Sequence, residues 1–87
     1  MSLIDLHPTW RESYGTKYLF FDCPRCQRGE GRYPGDGCWI NIPVSGANAW
    51  RWNGETDFDK VTLAPSIWHH CKSDPHFFIR EGKVIFA

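Results

Sequence analysis

Cys23-Pro24-Arg25-Cys26-Gln27-Arg28-Gly29 decides how the rest of this 87-residue chain is read. Two thiols with two residues between them, one a Pro, and a Gly three places on, turn a chain tightly enough for both sulfurs to meet one metal ion. Zinc takes thiolate sulfur at ~2.3 Å and has four ligands in a structural site. This half-site therefore needs two more donors, and the tail offers them in His69-His70-Cys71-Lys72-Ser73-Asp74-Pro75-His76. The expected ligands of a Zn2+ ion are Cys23, Cys26, Cys71 and His76. Pro75 stiffens the approach to His76, which opens the final strand pair. On a strand His69 and His70 point to opposite faces, so either one, but not both, is an alternative to His76. Cys38 is the alternative third thiol, although its place in an apolar alternation suits a small buried side chain. A redox role for the thiol pair requires a following helix, and here the pair leads into a Gly-rich loop.

The length allows one domain. A chain of this size buries only ~60–65% of the surface its unfolded form exposes, so a metal staple has much to add. Trp10, Trp39, Trp50, Trp52 and Trp68 make the core material aromatic rather than Leu-rich. Ten basic and ten acidic side chains balance, which argues against a broad electrostatic grip on nucleic acid. No run is apolar enough to span a bilayer and no export signal opens the chain. With four Cys, that combination suits a reducing, cytoplasmic setting.

Outward from the thiol turn, the pattern is of strands. Lys17–Asp22 runs into the turn as an aromatic-rich strand. Cys38–Val44 alternates, with Cys38, Ile40 and Ile42 on one face and Trp39 and Asn41 on the other; Pro43 places it at an edge or ends it. Ala49–Asn53 and Lys60–Ala64 are expected strands, the second stopped by Pro65, with a short fifth over Ser66–Cys71. Phe77–Arg80 and Lys83–Phe86 flank Glu81-Gly82, a two-residue loop that marks a β-hairpin. Residues 1–16 are expected as an arm, with Thr9 capping a short helical turn, and residues 17–87 as a single zinc-stabilised domain. The fold class is thus mainly β: a small zinc-stapled antiparallel sheet, zinc-ribbon-like, closed by a C-terminal hairpin.

The tail Thr62-Leu63-Ala64-Pro65-Ser66-Ile67-Trp68, then Cys71, then His76-Phe77-Phe78-Ile79-Arg80-Glu81-Gly82-Lys83-Val84, resembles a family of small bacteriophage and bacterial proteins. Its members carry LxPSI followed by C…HFxIxxGxI near the C-terminus, with an upstream cysteine motif. Some are labelled ammonia monooxygenase, and some lie beside ubiquitin-like conjugation genes. The resemblance covers the last third of the chain and the cysteine turn. It implies a compact zinc-ribbon-like domain with Cys71 and His76 as ligands, and no set reaction.

On these grounds a phage-encoded binding module for a protein partner, such as a host defence component, is expected in preference to an enzyme. Trp50 and Trp52 would present an indole face of the sort interfaces use. Arg25, Arg28 and Arg32 would line the metal turn. One alternative is a ribbon binding single-stranded nucleic acid through those arginines. Another is a small hydrolase using a metal or a Cys/His pair among His69, His70, Cys71, Asp74 and His76.

Overall fold

The computed structural model describes residues 1–25, 38–69 and 74–87. It is mainly β, with two antiparallel sheets. A 3-10 turn over Leu3–Leu6 leads into β1 (Thr9–Ser13), β2 (Thr16–Asp22), β3 (Trp39–Pro43), β4 (Arg51–Trp52), β5 (Leu63–Trp68), β6 (His76–Arg80) and β7 (Lys83–Phe86). The first sheet has the order β1-β2-β3 and the second β4-β5-β6-β7.

Period-two alternation builds both inner faces. Leu19 and Phe21 of β2 lie opposite Ile42 and Ile40 of β3, all buried. In the second sheet Leu63, Ile67, Phe77, Ile79 and Val84 are buried, and all of these join one cluster with Leu3, Leu6 and Val61. Phe21 meets Phe77 edge to face across the sheets, centroids 6.2 Å apart, a geometry that aromatic quadrupoles favour. Trp39 and Asn41 are exposed, as alternation requires, and Pro43 ends an edge strand.

The N-terminal residues are part of this body. Leu3 and Leu6 are fully buried, and Ser2 bridges Lys83 on the outer edge of β7. The Thr9 segment is a strand, not the short helical turn expected from Thr9 as a cap. Tyr14 and Gly15 take φ of 50° and 81°, the two-residue geometry that returns β1 onto β2. The expected Lys60–Ala64 and Ser66–Cys71 strands meet in one, β5, which passes through Pro65; residues 70 and 71 of the second lie outside the described residues. Leu63 pairs with Ile79 and Ile67 with Phe77, so residues 64–66 bulge opposite Phe78 alone. A bulge leaves N–H groups out of the ladder, so a residue without one is tolerated there.

The closing hairpin forms as expected, with Arg80 opposite Lys83 and positive φ at Glu81 (46°) and Gly82 (75°). Gly82 is also packed: a Cβ there would sit 2.5 Å from the Asp59 carbonyl carbon and oxygen. Gly15 has positive φ too but open space around it. Gly82→Ala should therefore cost about 2–4 kcal/mol, conformation plus overlap, and Gly15→Ala only about 1 kcal/mol. Thermal melts check this, with Gly82→Ala lowering the midpoint at least twice as far; equal shifts would mean the Asp59 contact is unimportant.

Candidate active site and metal centre

The β2–β3 ladder extends one pair beyond Asp22 and Trp39: the Cys23 N–H donates to the Cys38 carbonyl at 2.8 Å. That sets two thiols opposite each other at the end of the first sheet. His69 follows the last residue of β5 and reaches them from the second sheet. Its Nε2 lies 3.0 Å from the Cys38 sulfur, and ligand atoms of Cys23, Cys38 and His69 all fall within 4.8 Å of one another. Cys23 is fully buried. The His69 N–H donates to the Pro75 carbonyl at 3.0 Å, which ties the cluster to the start of β6. Three donors this close, two of sulfur and one of nitrogen, can hold a metal ion, and the N/S set is the one zinc prefers.

The expected ligands divide. Cys23 is in the cluster, while Cys26 and Cys71 lie outside the described residues, as do Arg28 and Arg32. Cys38 and His69, the weighed alternatives, are the described residues brought to Cys23. His76 stands apart from the group, on the outward face of β6. The reason is register. His76 pairs with Trp68 inside the ladder, whereas His69 sits just past its end, where β5 runs towards the first sheet. Arg25 is exposed and holds its guanidinium 4.0 Å over the Phe86 ring.

Trp50 and Trp52 do not form an exposed indole face. Both are half-buried and pack against the core. Their indole N–H groups donate to the carbonyls of Pro65 and Glu55, each at 3.0 Å, and Trp52 stacks at a tilt on Trp10 with centroids 5.1 Å apart. In a small domain such rings fill the core's margin and anchor loops through their polar edge.

The Trp50 bond holds the carbonyl that precedes Ser66. Ser66 is the last residue of the β5 bulge, half-buried, and its hydroxyl lies 2.8 Å from Nε2 of exposed His76. With the ring proton on Nδ1, Nε2 accepts the Ser66 O–H. Trp68, its cross-strand partner, and Phe78, two residues along β6, both stack with the imidazole, at centroid distances of 5.7 and 6.3 Å and interplanar angles of 27°. The Ala87 N–H donates to the His76 carbonyl at 2.9 Å. A hydroxyl within hydrogen-bond reach of an imidazole whose plane is fixed is the nucleophile–base arrangement of covalent hydrolysis. Bulges commonly re-aim a side chain at such sites.

The sequence alone marks Ser66 only as part of a motif and of a short strand, and His76 as a metal ligand or, in the hydrolase alternative, as a partner of Cys71. A Pro-Ser step within an otherwise good strand pattern, with a His opening the next strand, was the available signal.

Among the described residues no helix is long and apolar enough to cross a membrane. Comparison with curated proteins and with solved structures gave no match. One family model matches residues 5–87, that of the bacterial ubiquitination-like system serine protease (BubE). This overturns the expected binding module and the preference for a non-enzyme, since the family is one of proteases and its reaction needs a seryl nucleophile. Aromatic surplus and balanced charge had suggested a docking surface, but much of that surplus is buried or bonded within the fold. The match spans nearly the whole chain, both sheets, the metal cluster and the Ser66–His76 contact alike, and the chain belongs to the BubE family of bacterial ubiquitination-like system serine proteases.

Proposed function

We propose that Ser66 is the nucleophile and His76 the general base of a protease acting on a protein of a ubiquitin-like conjugation system. The observation that carries this is the 2.8 Å contact between the Ser66 hydroxyl and His76 Nε2. Ser66 Oγ attacks the scissile carbonyl carbon as Nε2 takes its proton. The tetrahedral intermediate collapses, Nε2 hands that proton to the departing amine, and an acyl-Ser66 ester remains. Water, deprotonated by the same nitrogen, then releases the carboxylate product and regenerates Ser66. Stacking by Trp68 and Phe78 keeps the ring in the plane the transfers require. The dyad lies on an open sheet face, which suits an extended polypeptide tail better than an enclosed small molecule.

The Cys23–Cys38–His69 cluster is tied to this site through the His69–Pro75 bond. Cys23, Cys38 and His69 fit Zn2+, and Cys26 or Cys71, close in sequence to Cys23 and His69, is the proposed fourth donor. An ion held by Cys23, Cys38 and His69 would cross-link the two sheets. His69, so held, would fix the entry to β6 and His76 through its N–H bond to the Pro75 carbonyl.

A fluorophosphonate probe tests the nucleophile. Wild-type protein should take up one label, located by mass spectrometry on the peptide containing Ser66, and Ser66→Ala should take up none. Labelling of Ser45 or Ser13 instead, or no labelling of folded wild type, would overturn the assignment.

A further inference from the structure

The outward face of the four-stranded sheet has a composition that the chain's overall neutrality hides. Alternation along β6 sets His76, Phe78 and Arg80 outward while Phe77 and Ile79 are buried. Ile85 and Lys83 of β7 lie opposite half-buried Phe78 and exposed Arg80 and are themselves exposed. Arg51 of β4 is exposed opposite Ala64. The ring stack from Trp68 through His76 to Phe78 ends on the Arg80 guanidinium, 5.2 Å from the Phe78 centroid. The charged residues that the described strands of this sheet place on that face, Arg51, Arg80 and Lys83, are all cations. The acids Asp74 and Glu81 flank β6, Asp74 two residues before it and Glu81 in the hairpin turn after it.

Arg80 and Lys83 are direct cross-strand partners. Like charges so placed repel, and an anionic ligand would relieve them. Beside them lies a recess of about 560 Å³ lined by Met1, Arg80, Glu81, Lys83, Val84 and Ile85. From His76 to Arg80 is four residues of strand, ~13 Å at ~3.3 Å each.

Resting on the serine-protease reading, we infer that the substrate carries an acidic segment about four residues from the scissile bond, bound along β6 with its carboxylates on Arg80 and Lys83. The aromatic rings hold the intervening apolar or backbone groups, and the Ser66–His76 pair sits under the carbonyl to be cut. Nucleic acid would also find cations and rings here. The peptide is favoured because the nucleophile–base pair on the same face is suited to acyl carbon.

The test reads binding on Ser66→Ala protein, so its outcome does not depend on turnover. Fluorescein-labelled peptides of equal length, rich in Glu, Gln or Lys, are titrated by anisotropy at low and high salt. The Glu peptide should bind about tenfold more tightly than the Gln peptide, and lose that advantage in high salt. Adding Arg80→Ala and Lys83→Ala should weaken the Glu peptide about three- to thirtyfold, the range for two exposed ion pairs, and leave the Gln peptide unchanged. Equal binding of Glu and Gln peptides, binding of neither, or displacement of the Glu peptide by far less of a single-stranded oligonucleotide would each overturn the inference. Fluorophosphonate labelling of Ser66 would be untouched by those results, so the two readings fail separately.

Discussion

Ser66→Ala should lower kcat for cleavage of a ubiquitin-like substrate by about 10⁴–10⁶-fold, the scale seen when a serine nucleophile is removed. The fold should survive. Ser66 is half-buried at a bulge, and losing its bond to His76 costs stability only about 1 kcal/mol. His76→Gln should fall by a similar factor, because the hydroxyl without its base is a weak nucleophile. The double variant should be no slower than the worse single one, since the two groups act as a unit. Steady-state kinetics with melting curves on all three variants check this. Activity within tenfold of wild type in Ser66→Ala, or additive losses in the double variant, would remove Ser66 and His76 from the chemistry.

The second large effect concerns the metal cluster. Structural zinc contributes roughly 10–16 kcal/mol in finger peptides, at least as much as the ~5–15 kcal/mol by which a whole domain is stable. Chelation under reducing conditions should therefore abolish cooperative melting and the near-ultraviolet signal of the tryptophans, and added Zn2+ should restore both. The variants separate the candidate ligands. Cys38→Ser and His69→Ala should emerge without metal or unfolded. His76→Ala should keep one zinc per chain by elemental analysis, since His76 lies on the outward face beside Ser66. Melting that ignores the chelator would discard the staple. Zinc lost from His76→Ala but kept in His69→Ala would restore the ligand set that the sequence suggested.

These two experiments meet at the segment between His69 and His76. One end faces the thiols and the other the hydroxyl, and the His69–Pro75 backbone bond joins them. Metal loss should consequently silence catalysis through geometry even where the chain stays partly folded.

Much of the fold was legible because strand alternation is a local property. Leu19 and Phe21, Ile40 and Ile42, Phe77 and Ile79 each announce a buried face at period two, and Glu81-Gly82 announces its own turn. Pro65 misled because a proline ordinarily ends a strand. Whether it instead sits in a bulge depends on the partner strand. Thr9–Ser13 carries little alternation of its own and is held by β2, so its strand character is borrowed.

By itself the sequence determined that this is a mainly β protein with a closing hairpin, since backbone propensity and period-two burial need only neighbours along the chain. Only the tertiary structure decided which histidine meets the sulfurs and which meets a serine. Those choices depend on where strand ends converge and how β5 registers on β6. Register is set by the packing of both sheets on one core, which no short stretch of the chain contains.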